Sequence, residues 1–337
     1  MDWHAIDGLG RAYEATRALL LPFSLNNWIV LGIVVFFIGW TSGISGSWNV
    51  PSGVVTIPDA TWAPGVTQPE WRQLEVELSR LLAPLFAAML VGTVVAVGLI
   101  ATVIASIMQF VFVRQLTERE IRIRGYFGES VGPGIRLLLL WIGLGLLLVA
   151  VAFAMLLLTI ITFGLFVLVL IALIPILFLA GIAMWVFVRF TIDFVVPIML
   201  VDEAGVIEAW KRLATEIRVE WKQYGLYAVA RFFLDLVAGL LLAIGTTIAF
   251  VIIAIPAILV GLLVYGIASL VSSTVAAVAT AALVGMVLLL AAAIATVFVG
   301  VPVHTYLRYY ALFVLARTSP EYDMLEAVRG AIGEPTG

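Results

Sequence analysis

Apolar positions along this chain collect into six long runs, and polar positions collect between them. The first run, Trp28–Ile44, is short; the others cover about 85–113, 137–161, 165–188, 236–258 and 275–303. At roughly 20 residues per crossing, each reads as a membrane helix, the first only just. Leu137–Val188 contains no charged residue, and Leu236–Leu307 contains none apart from His304, so each is long enough for two crossings. The predicted fold is therefore all-α: a polytopic bundle of six transmembrane helices. Span two, about 85–113, exceeds the hydrocarbon thickness and is expected to tilt or project inward.

The intervening segments predict shorter elements. Over residues 2–21, Trp3, Ile6, Leu9, Tyr13, Thr16 and Leu20 recur at helical spacing, with Asp7, Arg11 and Glu14 on the other side. That pattern predicts a helix lying along the membrane interface and ended by Pro22. A second amphipathic helix is predicted over 205–224, with Val206, Trp210, Leu213, Ile217, Trp221 and Tyr224 as its apolar stripe. Residues 45–69, with four prolines, read as an outer loop, followed by a short helix that runs into span two. Hairpin turns are expected at Thr162-Phe163-Gly164 and at 265–274, and Ser319-Pro320-Glu321 carries the N-cap signature of a short helix in the tail at 318–337.

Charge decides the orientation. Counted from the N-terminus, the seven segments between and around the spans hold 2, 2, 5, 0, 6, 0 and 3 Lys and Arg residues. Sixteen of the eighteen thus fall in alternate segments, which predicts a multi-pass protein of the cell membrane with both termini in the cytoplasm. The leading segment lacks the layout of a secretory signal. A charged fraction of 12% against 64% hydrophobic residues excludes an ordinary soluble protein. A net charge of −3 gives no support for a nucleic-acid partner. Cysteine is absent and only two histidines occur, far apart, so neither thiol chemistry nor a metal site is expected, and no cofactor.

Ionisable groups in or at the edge of the spans are costly in lipid and are the candidate functional positions. Arg189 with Asp193 and Arg231 with Asp235 repeat the pattern R-F-x-x-D at the end of span four and the start of span five. Each pair is spaced i,i+4 and can close on its own helix. In one reading the arginines snorkel to headgroups and the aspartates are paired locally. In the other the two pairs meet across the span four/five junction as a polar gate or an anionic-headgroup site, with Asp235 the deeper carboxylate. His304, at the inner end of span six, reads as a proton carrier or, more simply, as an interfacial histidine. Arg119, Arg122 and Arg124 are candidate contacts for anionic lipid, though topology setting explains them better.

The glycines carry no fingerprint. Gly125, Gly128, Gly132 and Gly134 have no P-loop lysine, so helix breaking and close packing are their expected roles. Ala277, Ala281, Gly285, Ala292, Thr296 and Gly300 give span six a small-residue stripe suited to a helix neighbour or a second copy of the chain. Thr102, Ser106, Thr246 and Thr247 are the polar groups nearest mid-membrane and are expected to bond to their own helix backbone.

Five segments together resemble an uncharacterised family of haloarchaeal six-span membrane proteins, itself similar to the membrane domain of some glycerophosphodiester phosphodiesterases. They are AIDGLGRAYEATRALLLPFSLNNW (5–28), REIRIRGYFGESVGPGIRLL (119–138), VVPIMLVDEAGVIEAWKRL (195–213), EWKQYGLYAVARF (220–232) and TYLRYYALFVLARTSPEYD (305–323). The resemblance implies six spans, inner amphipathic helices and no established activity. No catalytic residue carries over, because the phosphodiesterase chemistry of those relatives sits in a separate soluble domain.

Three functional classes follow. The first is a non-enzymatic scaffold or accessory protein that meets a cytoplasmic or membrane partner through the inner helices. The second is a transporter or lipid-handling protein using the span four/five polar groups. The third, an intramembrane enzyme, ranks last, since no nucleophile–base pair or paired mid-membrane carboxylates can be assembled.

Overall fold

The computed structural model describes residues 4–42, 71–162, 164, 166–270 and 273–333. The outer loop expected at 45–69 lies outside them, as do Phe163 of the first hairpin turn and residues 271–272 of the second. Over the described residues the chain is all-helical. It runs α1 (His4–Leu20), α2 (Leu25–Ser42), α3 (Trp71–Glu118), α4 (Arg124–Ile161), α5 (Phe166–Phe190), a π-helical turn (Thr191–Val195), α6 (Val196–Asp202), α7 (Val206–Val219), α8 (Trp221–Ala268) and α9 (Ser273–Thr318). A 3-10 turn (Pro320–Tyr322) and α10 (Glu326–Ile332) close the chain.

Among the described residues, five helices are long and apolar enough to cross a membrane, within Val91–Glu118, Arg124–Ile161, Leu173–Asp202, Trp221–Ile267 and Ala282–Thr318. The apolar part of α2, Leu25–Gly39, is shorter. The long helices outrun the predicted spans because nothing in the flanking segments stops them. At 48 and 46 residues, α8 and α9 extend about 70 Å, more than twice a ~30 Å hydrocarbon core.

The surplus length builds a packed head at one end of the bundle. The end of α3, the start of α4, the end of α5, the start of α8 and the end of α9 meet there, joined by α1, α6, α7 and α10. Its largest fully buried side chains include Phe110, Phe112, Phe194, Tyr224, Tyr227, Tyr309, Tyr310 and Phe313. The opposite halves of α4, α5 and α8 leave leucines, isoleucines and valines exposed, as helices facing lipid do.

Several expectations are corrected here. The glycines at 125–134 do not break a helix: α4 begins at Arg124 and runs straight through them and Pro133. Tyr126, Ser130, Gly134 and Leu137 form its buried face, and only Gly134 answers to close packing, since a Cβ there would sit 2.7 Å from Ile107 Cγ1 and 2.9 Å from Ile107 Cα. A Cβ on Gly125, Gly128 or Gly132 would meet open space.

The first helix buries a different face from the one its large side chains suggest. Gly8, Ala12, Ala15, Thr16 and Leu20 are buried, while Ile6 and Tyr13 are exposed. Tyr310 and Val314 of α9 face Gly8, where a Cβ would lie 3.5 Å from each, in ordinary van der Waals contact.

The helix expected over 205–224 is broken at Glu220. Val206, Ala209 and Leu213 are buried as one face of α7, but Tyr224 is buried as part of α8 and Trp221 is exposed. Ser319 caps no helix by its side chain; its hydroxyl donates to Glu216 at 3.2 Å, and only a three-residue 3-10 turn, Pro320–Tyr322, follows it.

Close approach between α9 and its neighbours runs through glycines on both sides of the contacts, and the side chains of Ala277 and Ala281 in the predicted stripe lie outside the described residues. The glycines that admit a neighbour lie mainly outside the α9 stripe: a Cβ on Gly245 or Gly261 of α8 would come within 2.9 or 2.5 Å of Val299 or Val284 of α9. Gly32 of α2 likewise receives Val297 of α9. Within the stripe, Gly300 admits Val35 of α2 at 3.2 Å, whereas Gly285 faces open space. The hydroxyls of Thr102, Ser106, Thr246 and Thr247 do bond their own helix, at 2.8, 2.9, 2.6 and 2.6 Å.

Candidate functional site

The head is organised around ionisable side chains that α5, the π-turn, α8 and α9 bring together. On α8, Tyr227, Arg231 and Asp235 recur every fourth residue and so share one helix face. Arg189 comes from the last turn of α5 and Asp193 from the π-turn. His304 and Arg308 lie one turn apart on α9, and Gln109 comes from α3.

The pairing is crossed between elements. Asp193 accepts a hydrogen bond from Tyr227 at 2.7 Å and one from Arg231 Nε at 3.0 Å, both on its Oδ2. Its Oδ1 lies 3.8 Å from Arg308 Nη1. Asp235 Oδ2 is 2.8 Å from Arg189 Nε, and Asp235 Oδ1 is 3.1 Å from Arg231 Nη1. The local pair is thus kept within α8 but not between Arg189 and Asp193. The reason is the π-turn. An i→i+5 turn inserts an extra residue, so Asp193 is rotated away from the helix face that Arg189 occupies and toward α8 and α9.

The turn is held by its neighbours. Thr191 donates to the Phe187 carbonyl at 2.7 Å and accepts from Trp210 Nε1 of α7 at 3.1 Å, while the Trp210 ring stacks on Phe187 at 4.8 Å. The irregular backbone exposes the Ile192 carbonyl, and Arg308 Nη1 donates to it. Arg308 Nη2 donates to Gln109 Oε1 at 2.8 Å, tying α3 to the network. Phe190, Phe194, Tyr224 and Tyr310 wrap Tyr227 and the turn in aromatic contacts.

Closure is nearly complete. The Arg231, Asp193 and Arg308 side chains are 3–4% exposed, with Arg189 at 7% and Asp235 at 12%. His304 is buried. It sits beside Gly300 where α2 crosses α9. Its charged neighbours are Arg231, Arg189 and Arg308, and no carboxylate pairs with it among the described residues.

The three candidate lipid arginines diverge. Arg119, in a left-handed backbone conformation at φ 55°, donates to the Ala18 carbonyl at 2.9 Å and so satisfies the C-terminal end of α1. Arg122 pairs with Glu120 and lies 5.8 Å from the Tyr126 ring centre. Arg124 stands exposed at the start of α4. On α7, Arg212 pairs with Asp202 and with Glu208 at 3.0 Å, and its pKa is raised mainly by the hydrogen bond to Asp202. Arg136 reaches across to the Glu203 and Ala204 carbonyls at 3.2 and 3.3 Å, satisfying the end of α6.

Sequence reasoning missed Tyr227, Arg308 and Gln109. Gln109, an amide inside an apolar run, and Tyr227, one turn before Arg231, were the available signals. Among the described residues no group of three or more His, Cys, Asp or Glu could hold a metal ion.

This head stands on apolar helices that are long enough to cross a membrane, an arrangement compatible with a helical membrane protein. The chain belongs to a family of unknown function (DUF7544), whose profile matches residues 3–325. No curated protein and no solved structure matches it.

Proposed function

We propose that this chain is a six-span protein of the cell membrane with both termini in the cytoplasm, acting as a non-enzymatic scaffold or accessory subunit for a protein partner. The observation that carries the reading is the closed state of the charge network. Its ionisable groups are paired with one another, bonded to carbonyls or enclosed, so they act as an internal brace for the head. A transport path or a catalytic site would need some of them open to water.

The orientation and the sixth span rest on supporting arguments. The segments that hold sixteen of the eighteen Lys and Arg residues all gather at the head end of the bundle, as a common cytoplasmic side requires. An even number of crossings returns the chain to that side, which makes α2 the sixth span, with α1 and α7 as helices of the inner surface. Only two lysines and an acidic net charge suit a high-salt cytoplasm and hence the haloarchaeal origin that the resemblance implies.

What the head offers a partner is the outer side of α7 and the first residue of α8. Ile207, Val219 and Trp221 are 74%, 72% and 64% exposed, flanked by Lys211, Arg218 and Lys222. The test is site-specific photocrosslinking in intact membranes from positions 207 and 219. Both sites should trap one common protein, and Ile207→Asp should abolish the adduct from 219. If neither position yields a discrete adduct, while the purified protein carries a solute flux in vesicles, the scaffold reading fails and transport replaces it.

A further inference from the structure

We propose that Arg189, at the seam between α5 and α8, is a binding site for the phosphate of an anionic phospholipid. The charge balance points to it first. The network holds three guanidinium groups, Arg189, Arg231 and Arg308, against two carboxylates, Asp193 and Asp235. One positive charge is left without a counter-ion in a region of low dielectric, where an uncompensated charge is costly.

The excess is available at one edge only. Arg308 is spent on the Ile192 carbonyl and on Gln109, and Arg231 lies between both aspartates. Arg189 meets Asp235 through Nε, and neither of its terminal nitrogens has a hydrogen-bond acceptor among the described residues. The side chain is nevertheless nine-tenths buried, so its rotamer is held by packing while its donors remain unused. Arg189 and Asp235 are also the most open of the five charged members, which gives the network an outlet toward the bilayer.

Depth and surroundings identify the ligand. With the fourth crossing set by the charge-free run at about 165–188, Arg189 is the first charged residue past its inner end and lies at headgroup level. One turn earlier, Trp185 packs edge-on to Phe232 of α8 at 5.8 Å, an aromatic pair of the kind that sits just below headgroups. A phosphodiester presents two acceptor oxygens to the planar fork of a guanidinium, a match that a lysine would not make. The acyl chains would lie along the exposed Phe233, Leu236 and Leu240 of α8. The inference depends on the membrane placement proposed above but not on the partner, so a failed crosslink leaves it standing.

Native mass spectrometry of the delipidated full-length protein, titrated with phosphatidylglycerol or phosphatidylcholine micelles, tests it. Wild type should retain one phosphatidylglycerol per chain in preference to phosphatidylcholine, and Arg189→Gln should weaken that retention about tenfold. Asp235→Asn removes the competitor for Arg189 and should tighten it several-fold, a gain that no folding defect can imitate. Arg189→Lys, which keeps charge but not the fork, should fall between. Retention unchanged in Arg189→Gln overturns the site. An equal loss in Arg124→Gln, which removes an exposed arginine elsewhere, overturns it in favour of general surface charge. Displacement by millimolar inorganic phosphate with no lipid preference would assign the site to free phosphate and overturn the lipid.

Discussion

Asp193→Asn is the perturbation that most directly examines the brace. Asp193 receives Tyr227 and Arg231 through hydrogen bonds of 2.7 and 3.0 Å and faces Arg308 at 3.8 Å. Neutralising it leaves three arginines around one remaining carboxylate, Asp235, with Arg231 and Arg308 both almost fully enclosed. Removing one partner of a buried pair costs about 3–5 kcal/mol, mostly because the other charge is left in a poor medium. The loss should fall near the top of that range, since one carboxylate serves two guanidiniums. Asp235→Asn should cost less, about 1–2 kcal/mol, because Asp235 is more exposed and Arg231 keeps Asp193.

The assay is reversible unfolding in mixed micelles under increasing SDS, followed by tryptophan fluorescence, on both single variants, Arg231→Met, and the double variant Arg231→Met/Asp193→Asn. The cycle should return a coupling of about 1–3 kcal/mol between Arg231 and Asp193, with the double variant less damaged than the sum of the singles. Equal losses for Asp193→Asn and Asp235→Asn, or a coupling near zero, would refute the crossed pairing.

Gly134→Ala should destabilise by about 1–3 kcal/mol in the same assay, because the new methyl meets the Ile107 backbone, which cannot swing aside; Gly132→Ala, with open space around it, should be neutral or slightly stabilising. Trp210→Phe keeps the stacking on Phe187 but loses the Thr191 hydrogen bond, an expected cost of about 1 kcal/mol. Thr246→Val and Thr247→Val should change stability by less than about 0.5 kcal/mol, since each hydroxyl bonds only its own helix; loss of cellular function in either would instead indicate a substrate path. Arg136→Ala should cost about 0.5–1.5 kcal/mol by freeing the carbonyls at the end of α6, detectable as faster amide exchange over 198–206.

The crossed network also shows where linear reading stops. The i,i+4 spacing within α8 held, because α8 is a regular helix there. The identical spacing from Arg189 to Asp193 did not, because a single π-turn lies between them, and nothing in T-I-D-F-V marks an i→i+5 hydrogen bond in advance. The stripe on α1 held only in part. Thr16 and Leu20 of the predicted stripe are buried, but the buried face is centred on Gly8, Ala12 and Ala15, which leaves Ile6 and Tyr13 exposed.

What the sequence alone determined is the class of the molecule and the polarity of its segments. Runs of apolar residues and the alternation of arginine content are one-dimensional quantities, and the cost of a charge in hydrocarbon acts on them directly. Only the tertiary structure decided which polar groups meet. Arg308 reaches Gln109 across 199 positions and Arg231 reaches Asp193 across 38, through contacts that depend on the azimuth of four separate helices. Azimuth is set by which glycine admits which valine and by one irregular turn, and those are properties of packed pairs of helices that no single stretch of chain contains.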